Sequence, residues 1–267
     1  MSIGGVIYFA KNYDEAFPAL SVDIKMNREM ALDAAEELSK KYNWLPGEYR
    51  TAVSFDGDRN LQTFVELEGG GLDTFKMLYQ DGLYYPYLWK VRHFQEQNPN
   101  EMEVWFTPAG KPYSFRQKLG EDEPGAALSR DSAFAIAMAG LKDEWSINLD
   151  EYELVEESEK TQPGGRVDHS FTYQRSGFSM GENGFLRFNL KVQGDVLGEY
   201  NHYAQVPEAF KRRFSEMRSA NDTIAFSATM AIGVLYVLFG CLVGTFMLLR
   251  QRRVLWKKAM IWGMVVG

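Results

Sequence analysis

Polar and apolar positions change period several times along the chain, and each change predicts an element. Residues 20–24 alternate like a strand. Asn27 can cap a helix running to about Lys41, with Met30, Ala31, Ala34, Ala35 and Leu38 at helical spacing. Residues 61–67 and 72–79 flank Gly69, Gly70 and Gly71, which reads as a break between two short helices. Residues 87–94 and 103–106 alternate as strands, and the turn 109–112 leads into a further strand over 113–116. Ser129 can cap a second helix over 130–141. Strands over 166–175, 185–192 and 199–206 follow, separated by glycine-containing turns.

One order of elements occurs twice. The first longer helix is followed by Trp44, a turn, Tyr49 and a strand; the second by Trp145, a turn, Tyr152 and a strand. Two helix-on-sheet units of similar design would give this order, and so would two unrelated aromatic plugs after amphipathic helices. Either way the fold class is α+β, with antiparallel sheets and helices packed on one face.

After residue 206 the pattern changes. Pro207 suits the first position of a helix on which Phe210, Phe214 and Met217 share a face. The 27 residues 223–249 carry no charge, and 13 of them are Leu, Ile, Val or Phe. At about 1.5 Å per residue this stretch exceeds the ~30 Å hydrocarbon core of a bilayer. The helix before it either continues straight into the span or bends near 219–222. Gly240 and Gly244 give the span a G-x-x-x-G spacing, a weak signal for close helix approach. Arg250, Arg252, Arg253, Lys257 and Lys258 stop the span, and residues 259–267 are apolar again, as at the start of a second membrane helix.

Charge sharpens this division. All 36 acidic residues lie at or before Asp222, so residues 1–222 carry a net charge of −12 and the remainder +5. Basic residues after the span favour an extracytoplasmic location for residues 1–222, although Lys211, Arg212, Arg213 and Arg218 precede it. The expected organisation is a short apolar segment within 1–16 (the stub of an N-terminal anchor), an α+β domain over 17–206 and a juxtamembrane helix over 207–222. A transmembrane helix over 223–249, a basic cytoplasmic loop over 250–258 and the start of a second span over 259–267 complete it. The acidic domain argues against nucleic acid as a partner. The only cysteine, Cys241, falls inside the span, so no disulfide holds the domain together.

Candidate chemistry is sparse. His93, His169 and His202 lack zinc-site spacing, and no metal or other cofactor is expected. Asp168, His169 and Ser170 have the residue types of a hydrolytic triad, but neighbours on a strand point to opposite faces. Only a structure bringing Asp168, His169 or His202 into one pocket with a nucleophile would support a tethered hydrolase. Gly69 to Gly71 lacks the context of a phosphate loop. Residues 84–89, rich in aromatics, read as core packing or as the lining of a peptide or lipid groove. No catalytic, cofactor-binding or metal-binding residue is assigned.

Several strings are more specific: Phe17-Pro-Ala-Leu-Ser-Val-Asp-Ile-Lys-Met-Asn-Arg28, Gln62-Thr-Phe-Val-Glu-Leu-Glu-Gly-Gly-Gly71, Tyr87-Leu-Trp-Lys-Val-Arg-His-Phe94, Phe106-Thr-Pro-Ala-Gly-Lys-Pro-Tyr-Ser-Phe115, Gly165-Arg-Val-Asp-His-Ser-Phe-Thr-Tyr173 and the stretch 206–221. Together they resemble the N-terminal region of large bacterial members of the CPBP family of intramembrane proteases, the glutamate-dependent CAAX-protease and bacteriocin-processing group. The resemblance implies an extracytoplasmic domain on the bacterial inner membrane that gates substrates for a membrane-embedded endopeptidase. It implies a peptide or membrane-protein substrate and further transmembrane helices as partners. The family's E-E-x-x-x-R, F-x-x-x-H and H-x-x-x-N-type motifs are not found: Glu36 and Glu37 are followed by Lys41 where arginine is required. The alternative is a non-enzymatic, membrane-anchored binding or sensing module.

Overall fold

The computed structural model describes residues 22–44, 47–251 and 256–266. The chain divides after Pro207 into two compact units. The first is α+β. Its helices are α1 (Arg28–Tyr42), α2 (Arg59–Leu67), α3 (Gly71–Gln80) and α4 (Arg130–Gly140). Its strands are β1 (Arg50–Gly57), β2 (Tyr87–Phe94), β3 (Glu101–Phe106), β4 (Pro112–Lys118), β5 (Tyr152–Thr161), β6 (Val167–Arg175), β7 (Phe185–Gln193) and β8 (Val196–Gln205).

All eight strands form one antiparallel sheet in the order β1-β2-β3-β4-β8-β7-β6-β5. The order reverses about the β4–β8 junction, so each half is a helix followed by four antiparallel strands. The halves join where Phe115 pairs with Tyr200 and Arg116 with Glu199. The recurring helix–tryptophan–tyrosine–strand order is therefore two units of one design, merged into a single sheet.

Local chemistry fixes both helices at their starts. The Asn27 side chain accepts from the Met30 amide at 2.9 Å, and the Ser129 side chain accepts from the Ser132 amide. Each helix then buries two alanines four residues apart, Ala31 and Ala35 on α1, Ala133 and Ala137 on α4. Small side chains on that stripe let the helix lie close to the sheet. Met30, at helical spacing with them, is instead half exposed. A residue next to Ala31 sits about 100° round the helix, so both cannot face the sheet.

The helix-side core draws on both halves, with Val91, Met102, Val104, Phe106 and Phe115 from one and Phe171, Phe188, Leu190, Val192 and Tyr200 from the other. The opposite face carries alternating charges across strands. Lys90 pairs with Glu103, and Arg116 lies 3.6 Å from both Glu103 and Glu199. Arg92 makes a two-pronged pair with Glu101 at 2.6 and 2.8 Å. Cross-strand neighbours of opposite sign neutralise one another here.

One expectation needs correction. Residues 22–24 are irregular rather than a strand, while 20 and 21 lie outside the described residues, as does the segment 1–16. Lys25 and Met26 donate their amides to Pro108 O at 2.9 Å, so the segment crosses the β3–β4 turn instead of joining the sheet.

Among the described residues one helix, in the second unit, is long and apolar enough to cross a membrane: Glu208–Arg250, 43 residues or about 64 Å long. Residues 219–222 are helical, so the polar first part runs into the apolar part without a break. Its segments are α5 (Glu208–Leu235), a π-helical stretch Tyr236–Val243 and α6 (Gly244–Arg250). In the π stretch bonds run from i to i+5; it contains Gly240 and ends one residue before Gly244. A further helix, α7 (Trp256–Val266), covers the apolar end.

Candidate functional site

The residues with triad chemistry separate in space. Asp168 and His169 are neighbours on β6 and take opposite sides of the sheet. Asp168 is buried and bonded by Arg166 Nε at 2.8 Å and Gln162 Nε2 at 2.7 Å, with Lys191 Nζ at 3.5 Å. Burial pushes the Asp168 carboxyl up, but the hydrogen bonds from Arg166 and Gln162 and the Lys191 charge outweigh it and hold it below its usual range. The Arg166 Nη1 also donates to Gly120 O and Glu123 O at 3.3 and 3.2 Å, tying the loop before α4 to the β5–β6 turn. A side chain at Gly164 would come within 2.6 Å of Asp122 O, which is why glycine stands at that close approach. This cluster is a structural lock in which both Asp168 oxygens are engaged, while Gln162 Oε1 is buried without a hydrogen-bond partner.

His169 lies 2.9 Å from Leu128 O through Nε2 and 3.8 Å from Glu159 through Nδ1. His202 is half-buried in aromatic surroundings, stacked on Tyr113 at 4.6 Å, with Nε2 2.7 Å from the Tyr200 hydroxyl. Desolvation alone takes its pKa down to about 3, so it stays neutral at physiological pH. His93 Nδ1 lies 2.9 Å from Thr51 Oγ1 near the first edge of the sheet, and burial lowers its pKa. The three histidines belong to three separate surroundings, so the tethered-hydrolase arrangement does not form. Among the described residues no group of three or more His, Cys, Asp or Glu could hold a metal ion.

The aromatic run 84–89 packs against its surroundings. Tyr84 is buried and donates to Asp58 Oδ2 at 3.1 Å, and Tyr85 meets Tyr113 edge-on at 5.3 Å. Tyr87 and Trp89 both stack on or tilt against Phe55.

An apolar concavity lies where the two halves meet. It has a volume of about 600 Å³ and is lined by Tyr42, Trp44, Phe115, Trp145 and Leu197, with Lys142 and Asp195 among its polar groups. The tryptophan after α1 and the tryptophan after α4 occupy corresponding places: Trp44 stacks on Phe115 at 5.1 Å, Trp145 meets Tyr200 at 6.1 Å, and the two indoles are 6.2 Å apart. Glu144 bridges the halves beside this cleft, accepting from Lys41 Nζ at 2.7 Å and from the Tyr42 hydroxyl at 2.8 Å. The Lys41 hydrogen bond, then the backbone and Tyr42, hold the Glu144 carboxyl down at about 2. An aromatic floor with a few charged groups at its margin suits an apolar side chain presented on a polar backbone. The recurrence of tryptophan after each helix was the sequence signal for this cleft; its lining could not be listed without knowing that β4 pairs with β8.

No protein-family model, curated protein or solved structure matches this chain.

Proposed function

We propose that the α+β unit is a binding module held at a bilayer by the helix that follows it, and that it is the accessory, substrate-gating part of a membrane-embedded endopeptidase of the CPBP type. The observation that carries the binding role is the aromatic cleft at the β4–β8 junction, formed by both halves and lined by Trp44 and Trp145. The continuous Glu208–Arg250 helix supports attachment to a membrane. The five basic residues after the apolar stretch support an extracytoplasmic position for the module. The substrate assigned to the cleft is a peptide with an apolar side chain; the reacting groups would lie on further membrane helices of the same protein.

Two measurements test this. In nanodisc-embedded chain, tryptophan emission titrated with N-acetyl-phenylalaninamide should change saturably, and Ala139→Trp, at a further residue of the cleft lining, should fill the cleft and abolish binding. A flat titration to millimolar probe would remove the binding role. Sequencing the reading frame past Gly267 tests the peptidase role: membrane helices with paired glutamates and histidines are expected. Their absence would leave a stand-alone binding or sensing module.

A further inference from the structure

We infer that the cleft at the β4–β8 junction takes a short peptide with both ends free: its apolar side chain on the aromatic floor, its carboxylate on Lys142 and its ammonium on Asp195. The inference rests on the binding role given to the cleft above and names the class of ligand.

The segment after α4 divides its side chains between two tasks. Asp143–Trp145 form a short 3₁₀ turn that Lys142 precedes. Residues three apart eclipse one another in such a turn, so Lys142 and Trp145 come to one side, and both line the cleft. Asp143 and Glu144 turn instead toward Lys41 of α1, whose Nζ lies 3.9 Å from the first and 2.7 Å from the second. The carboxylates next to Lys142 in the chain are thereby drawn off it. Among the described residues the Lys142 ammonium makes no ion pair or hydrogen bond.

The opposite charge comes from the β7–β8 hairpin. Gln193 pairs with Val196, which leaves Gly194 and Asp195 as a two-residue turn. Gly194 has the positive φ, 66°, that such turns require. Asp195 is exposed there and lines the cleft, and among the described residues its carboxylate has no partner. Lys142 and Asp195 are thus an uncommitted cation and an uncommitted anion on one cleft, too far apart to pair with each other. At physiological ionic strength exposed charges are screened beyond about 8 Å, so these two groups outweigh the acidic balance of the whole region. A few polar groups around an apolar site are what fix a ligand's orientation.

The cleft also presents apolar surface that the fold leaves uncovered. Val196 is 50% exposed, and Ile136, Ala139 and Leu197 share the lining with it. Trp145 is 2% exposed, and its Nε1 has no hydrogen-bond partner. That N–H is near enough to the Tyr42 hydroxyl to act on it, but outside hydrogen-bonding geometry, and the hydroxyl is committed to Glu144. A peptide carbonyl would supply the missing acceptor. The volume of about 600 Å³ falls within the ~300–1,000 Å³ of sites that enclose a small ligand.

One cation, one anion and an apolar floor match a zwitterion with an apolar side chain. A segment from the middle of a long chain would set both charges against uncharged amides. Lys142 also follows the C-terminus of α4, where a cation is favourable without any ligand. Discrimination between ligands, rather than stability, therefore separates the two roles.

The test uses the full chain in nanodiscs, tryptophan emission and four forms of one dipeptide: glycyl-phenylalanine, its N-acetyl derivative, its amide, and the form blocked at both ends. The free dipeptide should bind tightest, and each blocked end should weaken binding at least fivefold. In Lys142→Met amidation should cease to matter while acetylation still does; in Asp195→Asn the reverse should hold. Both residues are exposed, so both variants should fold. Equal binding of the four forms would overturn the inference and leave the cleft a binding site. A penalty for one end alone, or penalties that persist in either variant at the end it should silence, would overturn it too. No response to any form at millimolar concentration would remove this inference and the cleft reading together.

Discussion

In the first half of the sheet, β1 reaches β2 through α2 and α3; in the second, β5 turns back into β6 within residues 162–166. Everything else about the two halves is parallel: a capped helix with a buried pair of alanines, a tryptophan over the junction and four antiparallel strands. The longer connection builds a second small core from Leu61, Phe64, Val65, Phe75 and Leu78. The short connection has no such core and relies on the buried Arg166–Asp168 pair instead. One plan can therefore be closed by apolar burial or by a satisfied ion pair. The two solutions differ in what breaks them, because burial tolerates small losses while an ion pair deprived of one partner leaves an uncompensated charge.

The largest expected effect follows directly. Arg166→Ala should destabilise the domain by about 3–5 kcal/mol, the usual cost of stranding a buried charge. Denaturant unfolding of the chain in detergent would read it, and an unchanged midpoint would mean the pair is not what closes the second half. Next come the tryptophans. Trp44→Ala and Trp145→Ala should each cost about 3 kcal/mol. Because the indoles lie 6.2 Å apart, the double variant should differ from the sum by about 0.5–3 kcal/mol. Strict additivity would argue against a shared site at the junction.

A third prediction concerns pH. His202 in the second half has a folded pKa lowered to about 3 by desolvation, against about 6.5 unfolded. Below 6.5 the unfolded chain takes up a proton that the folded chain refuses. Stability contributed by neutral His202 is thus complete above that value and is lost as pH falls toward 3. Near pH 5 the loss should be about 2 kcal/mol, from a limiting slope of about 1.4 kcal/mol per pH unit. His202→Phe should flatten unfolding free energy against pH over this window; an unaltered profile would assign the acid sensitivity elsewhere. The smallest effect is at the caps. Asn27→Ala and Ser129→Ala should each cost about 1 kcal/mol. The shorter Asn27 bond, 2.9 Å against 3.4 Å at Ser129, predicts that the first half loses slightly more.

Parts of this comparison were legible in the sequence. Asn27 and Ser129 announce their helices because a cap bonds an amide three residues away. The recurrence of Trp44 and Trp145 was visible, though whether it meant duplication was not. The strand after Tyr152 follows from its place after the second helix, although its mostly exposed positions carry little apolar alternation to mark where it ends. Met30 was misplaced because helical spacing admits neighbouring positions that only packing distinguishes.

The sequence by itself determined most of the elements, the caps at Asn27 and Ser129, the break at Gly69 to Gly71, and the uncharged stretch that becomes part of one long helix. These depend on interactions between residues a few positions apart, or on composition along a single segment. Only the tertiary structure decided that two four-stranded halves merge through β4 and β8 and that Asp168 is locked to Arg166 rather than to a histidine. Strand partners and register are set by contacts between residues distant in the chain, and a shift of one residue would turn every side chain of a strand to the other face.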